Sequence, residues 1–174
     1  DLNKKYINLK ILDYEKDETT DASLLIEGEY KKNKNLNFKK ILLTQSKNNF
    51  LINDLNLTKD FKIDYISLVD LDFVNNSKKI NKIVLKKNKK NYQIKSKIFD
   101  SSNLLEEILF GKDEGGISRF FYNLNAGIKI ELDKVFIGDS DFIKNLNSEI
   151  RFKKNKLINL DLSGTFINNK KINL

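Results

Sequence analysis

The feature that most constrains this chain is an alternation of apolar and polar residues with a period of two. Ile128, Ile130 and Leu132 alternate with Lys129, Glu131 and Asp133, and Ile158, Leu160, Leu162, Gly164 and Phe166 with Asn159, Asp161, Ser163 and Thr165. The same rhythm runs through Ile7, Leu9 and Ile11, and through Leu24, Ile26 and Gly28. Successive side chains of a strand point to opposite faces, so such runs predict strands with one apolar and one solvated face. Short breaks rich in Asn and Lys separate them, near 31–35, 47–49, 75–79, 86–91, 153–156 and 168–171. The expected fold is therefore mainly β: an elongated, twisted antiparallel β-meander built hairpin after hairpin. Around Tyr65–Ile66 and Leu68–Val69 the alternation changes phase, which predicts a bulge or tight bend.

One segment breaks the rhythm. Leu104, Leu105, Ile108 and Leu109 recur at helical spacing, predicting one short α-helix near 101–110. Asp100, Ser101, Ser102 and Asn103 offer capping side chains, with Asn103 and Glu106 spaced as a capping box and Gly111 as a stop. The glycines at 111, 115 and 116 predict a flexible loop near 111–118.

Composition narrows the chemistry. The 174 residues contain no His and no Cys, which removes a Ser-His-Asp triad, a Cys nucleophile, a disulfide and a typical zinc site. Carboxylate pairs remain, Asp70 with Asp72 and Asp139 with Asp141, but they fall on polar faces or in a turn, where solvated carboxylates are ordinary. Neither GxGxxG nor GxxxxGK[ST] occurs, so no phosphate-cradling loop is expected. The net charge of +8 is carried almost wholly by Lys, with Arg only at 119 and 151. Lys, Asn and Ile are enriched together, which reads as compositional bias more than as a polyanion site, and no nucleic-acid partner is expected. An enzyme, a cofactor and a metal are likewise not expected. Methionine is absent even at position 1, and the last residues stop within strand-like sequence, so 1–174 is expected to be a single segment of a longer protein.

The alternating strands pose a packing question, because one helix of about three turns is little material to cover so much apolar strand surface. Either the sheet folds on itself or part of the face stays open, and an uncovered apolar surface usually marks a binding site. The expectation is an open apolar groove.

The stretch Tyr92-Gln-Ile-Lys-Ser-Lys-Ile-Phe-Asp-Ser-Ser-Asn-Leu-Leu105 resembles the AsmA-like family, in particular its YhdP branch, with Asp100, Leu104 and Leu105 on the family's strand-to-helix motif and Ser96 where a Gly is usual. Ile128 to Val135 resembles the strand that follows, and Leu157 to Phe166, with Gly164, resembles a later hairpin strand. The likeness spans roughly residues 63–174 and rests on short motifs in a shared order. It implies a curled β-groove in a protein anchored to the inner membrane. Such a protein would lie in the periplasm of a Gram-negative-type bacterium and move phospholipids between inner and outer membrane. No catalytic residues transfer. The implied partners are phospholipid acyl chains, met by a lining of Ile94, Ile98, Ile128, Ile130, Leu132, Ile158, Leu160, Leu162 and Phe166. The alternative is an envelope scaffold of the TamB or AsmA type, without lipid transfer; a basic polyanion-binding domain is less favoured.

Overall fold

A computed structural model describes residues 2, 4–30, 35–110 and 120–174, with the side chains of 107–110 apart. The expected loop at 111–118, the stop at Gly111 and most of the break at 31–35 lie outside the described residues. What is described is dominated by a large twisted sheet that does not close into a barrel.

The chain opens with a two-stranded ribbon, β1 (Ile7–Leu9) and β2 (Tyr14–Lys16), joined by a 3-10 turn over Lys10–Leu12. The expected alternation at Ile7, Leu9 and Ile11 therefore ends early, since Ile11 sits in the turn. The large sheet is built from β3 (Ser23–Tyr30), β4 (Leu36–Gln45), β5 (Asn48–Leu57), β6 (Ile63–Tyr65), β7 (Leu68–Val74), β8 (Ile80–Asn88), β9 (Asn91–Asp100), β10 (Ala126–Phe136), β11 (Phe142–Lys153), β12 (Lys156–Phe166) and β13 (Lys171–Asn173). Their order is β3-β4-β5-β7-β8-β9-β10-β11-β12-β13, with β6 also pairing with β5. Sequence neighbours thus lie beside one another, the meander that the period-two pattern predicts. The phase change near residue 66 is the break between β6 and β7, both of which pair with β5.

The meander is antiparallel except at one place. β9 and β10 run parallel, in the register Tyr92↔Ile128, Ile94↔Ile130 and Ser96↔Leu132. A parallel pair needs a crossover that returns the chain to its starting end, and this connection carries the helix α1 (Ser102–Phe110). Its start differs from the expected capping box. Asn103 lies inside the helix and donates its side-chain amide to the Lys10 carbonyl (2.9 Å), which ties α1 to the 3-10 turn. Capping falls instead to Asp100, whose Oδ1 accepts the Ser102 amide (3.2 Å) and hydroxyl (2.6 Å).

Phase is adjusted at bulges. Asp54 and Asn145 take left-handed backbone angles within strands (φ 47° and 50°). Register shifts fall between Lys82 and Ile83 against β9, and between Arg151 and Phe152 against β12. Each such step turns the following side chains to the other face.

The buried clusters draw on one face of the sheet. At the α1 end, Phe99, Leu132, Val135 and Ile143 are covered by Leu104 and Leu12. Beside them, Tyr14, Phe50 and Phe73 stack under the β1–β2 ribbon, with ring centroids 4.6 Å and 4.9 Å apart for Tyr14–Phe50 and Phe50–Phe73. At the opposite end, Leu55, Ile66, Tyr92 and Ala126 pack with Phe121 and Leu124, from the stretch leading into β10. Asn155 in the β11–β12 turn clamps this stretch: its Oδ1 accepts the Leu124 amide (2.6 Å) and its Nδ2 donates to the Phe121 carbonyl (3.0 Å).

Candidate functional site: an apolar register row

Residues opposite one another in a sheet share a face, so the pairings define rows running across the strands. One row reads Ile26, Ile41, Ile52, Val69, Leu85, Ile94, Ile130, Ser148 and Leu162, one residue from each of β3, β4, β5, β7, β8, β9, β10, β11 and β12. Ser148 is its single polar member, and its hydroxyl is used internally, donating to the Asp161 carbonyl (2.8 Å). One position along, the row reads Glu27, Lys40, Asn53, Leu68, Lys86, Gln93, Lys129, Glu149 and Asp161, polar everywhere but Leu68. The two faces are of opposite character over β9 to β12, whereas in the neighbouring row on the other side Leu25, Leu42, Leu51 and Val84 make the second face apolar at β3, β4, β5 and β8.

The apolar row is neither sealed nor bare. Ile41, Ile52, Val69, Leu85, Ile94, Ile130 and Leu162 are all half-buried, whereas Leu132, Phe99 and Val135 under the helix are buried. The ribbon and α1 cover one end of the strands, and Phe121 and Leu124 the other. The row between stays partly accessible over a length of about 38 Å, for eight strand-to-strand steps of ~4.8 Å.

Of the residues expected to line a groove, Ile94, Ile128, Ile130, Leu160 and Leu162 stand on this face in adjacent positions, with Ile128 and Leu160 linked through Ile150. Leu132 and Phe166 share the face but belong to the packed cluster under α1. Two expectations are corrected. Ile98 is paired with Lys82, whose Nζ contacts the Asp72 carboxylate (2.7 Å) on the solvated face, because the bulge at Lys82/Ile83 shifts the phase of β9. Ile158 is the unpaired extra residue where Arg151↔Asn159 is followed by Phe152↔Leu157, and it is 55% exposed. Plain alternation cannot locate a bulge, so Ile98 read as inward and Ile158 as a paired, covered position.

The structure also adds residues that sequence reasoning left out. Ile26, Ile41, Ile52, Val69 and Leu85 fill five of the row's nine places; Ile26 stands in an alternating run, while Ile41-Leu42-Leu43 and Phe50-Leu51-Ile52 are continuous apolar stretches in which the inward residue is set by pairing alone. Ser96 is buried and donates its hydroxyl to the Lys82 carbonyl (2.6 Å), bracing the β9 bulge.

Among the described residues the carboxylates form no alternative centre. Asp72 is engaged by Lys82, Asp139 and Asp141 are exposed in the β10–β11 turn, and no group of three Asp or Glu side chains among the described residues is arranged to hold a metal. On the solvated face, Glu131 accepts hydrogen bonds from Lys129, Gln93 and Lys95, which hold its carboxyl down to about 2. No helix among the described residues is long and apolar enough to cross a membrane. Comparison with protein-family models, with curated proteins and with solved structures found no match.

Proposed function

We propose that this chain is a non-enzymatic lipid-binding segment, which seats phospholipid acyl chains along the row from Ile26 to Leu162. In this reading it forms part of a bridge-like periplasmic protein that moves phospholipid between the inner and outer membranes. The observation that carries the proposal is the row itself: nine strands contribute one continuous, half-accessible line of Ile, Leu and Val, interrupted only by a Ser whose hydroxyl is satisfied. An acyl chain asks for an apolar lining and little else, and each methylene withdrawn from water contributes about 0.8 kcal/mol. At about 38 Å the row exceeds the ~15 Å depth of one leaflet's hydrocarbon, so a tail fits along it with room to advance.

The test is native mass spectrometry of protein purified without detergent, paired with photo-crosslinking to a diazirine-tailed phospholipid. Bound phospholipid and crosslinks at Ile94 and Ile130, both lost in Ile130→Asp with the fold retained, are the expected result. A clean apo protein that takes no crosslink on the row overturns the proposal.

A second reading, an envelope scaffold without lipid transfer, is favoured by one observation. Every residue of the edge strand β3 is exposed, including Leu24, Leu25 and Ile26. A bare, apolar edge without Lys or Pro invites a further strand from a protein partner. Intact lipid crosslinking in Leu25→Lys, on the edge strand but off the row, with loss of a bound partner, separates the scaffold role from the row.

A further inference from the structure

The turn between β8 and β9, at the end of the sheet opposite α1, forms a basic recess that the apolar row does not explain. A cavity of about 180 Å³ opens there, its wall including Asp64, Lys87, Lys89, Lys90, Tyr92 and Asn125. That volume is roughly six waters' worth, enough for one tetrahedral oxyanion with part of its hydration.

Lys87 is the unusual member. It pairs with Tyr92 and therefore points to the apolar face, where the neighbouring positions Leu85 and Ile94 are aliphatic. Its Nζ lies 3.9 Å from the Tyr65 ring centroid and 5.4 Å from that of Tyr92. Burial pulls its pKa below the usual lysine value, and Asp64 acts in the opposite sense. Among the described residues no carboxylate comes within 4.0 Å of it. A partly desolvated cation without a contact counter-ion costs free energy that an arriving anion recovers. Lys89, held at φ 54° in the turn, and Lys90 stand beside it, exposed. Three lysines against one carboxylate leave the wall with a charge of +2.

We propose that Lys87, Lys89 and Lys90 form a binding site for a phosphate oxyanion, whether of free phosphate or of a phosphate ester such as a lipid headgroup. Lysine suits this role as a point-charge donor. The site stands independently of the acyl-chain reading, because inorganic phosphate binds there whether or not a tail occupies the row.

The experiment is an amide NMR titration of the whole chain with inorganic phosphate, against sodium chloride at matched ionic strength. A parallel titration uses dihexanoylphosphatidylglycerol below its micellar concentration. Saturable shifts confined to residues 63–65, 86–92 and 123–126 are expected with phosphate and not with chloride. Lys87→Met, which keeps the aliphatic stem over Tyr65, should weaken binding about tenfold, and the paired change Lys89→Ser with Lys90→Ser should also weaken it. Lys170→Ser with Lys171→Ser, at a distant turn, should leave it unchanged. Should Lys87→Met fail to fold by circular dichroism, the exposed pair carries the test alone. Tighter binding of the short-chain lipid than of phosphate supports the site with a headgroup as its source, and equal binding supports it with free phosphate as the source. Shifts matched by chloride, or indifferent to the lysine substitutions, overturn it.

Discussion

The Lys79 ammonium lies 3.0 Å from Oδ2 of Asp100, joining the β7–β8 turn to the residue that caps α1. Both groups are withdrawn from solvent, and the same carboxylate accepts from the Asn75 side chain (3.0 Å), while Lys79 also donates to the Gly138 carbonyl (3.1 Å). The β7–β8 turn, the start of α1 and the β10–β11 turn are thus tied together through one ion pair, which sets the point from which the crossover covers the apolar face.

Asp100→Asn should destabilise the chain by about 2–4 kcal/mol, because Lys79 is left largely buried without its counter-charge. Urea unfolding checks this. Asp100→Asn combined with Lys79→Met should recover part of the loss, as removal of both charges leaves neither stranded.

The same carboxylate makes stability fall in acid. Burial alone would raise its pKa, but hydrogen bonds from Ser102, Lys79 and Asn75 together outweigh burial and hold it below the usual carboxylate range. In the unfolded chain the group titrates near the ordinary ~3.9, so on acidification the unfolded state binds the proton first. Its contribution is therefore complete above pH ~4 and is lost as pH falls through the lower folded value. Urea midpoints measured from pH 6 downward should drop less steeply in Asp100→Asn than in the parent chain.

Gly164→Ala should cost about 1–3 kcal/mol through overpacking. A Cβ there would stand 2.7 Å from Cγ2 of Ile143 and 3.4 Å from Cδ1 of Leu146. Ile143→Leu, which has no methyl branch at Cβ, should recover part of the lost stability in the double variant in thermal unfolding.

Leu132→Ala and Ile158→Ala distinguish core from surface on strands that look alike in sequence. Leu132 is 7% exposed beneath α1, so its truncation should cost about 2–5 kcal/mol. Ile158, at its bulge, should change stability by less than about 0.5 kcal/mol. Equal losses in urea unfolding would contradict the bulge assignment.

Asn155→Ala should release the stretch at 121–124 without unfolding the sheet, since one side chain holds both the Leu124 amide and the Phe121 carbonyl. Hydrogen exchange at Leu124 should accelerate, while exchange at Ile130 in central β10 stays slow.

The period-two alternation by itself determined the strand content, the two-faced character of β9 to β12 and the meander, because side-chain direction in a strand depends only on local backbone geometry. The helix at 102–110 was equally legible from its apolar spacing. The absence of His and Cys set the available chemistry in the same way. Other features were decided only by tertiary structure. Ile98 left the expected face and Ile158 fell out of register because a bulge adds a residue where two strands meet, and pairing registers appear in no single strand's pattern. The parallel join of β9 to β10 depends on where the crossover delivers the chain. Lys87 looked like part of a solvated turn, and became the cation facing the apolar side only once Tyr65 and Tyr92 were brought beneath it from separate strands. Local periodicity says which way a side chain points; which neighbours it meets there is a property of long-range pairing.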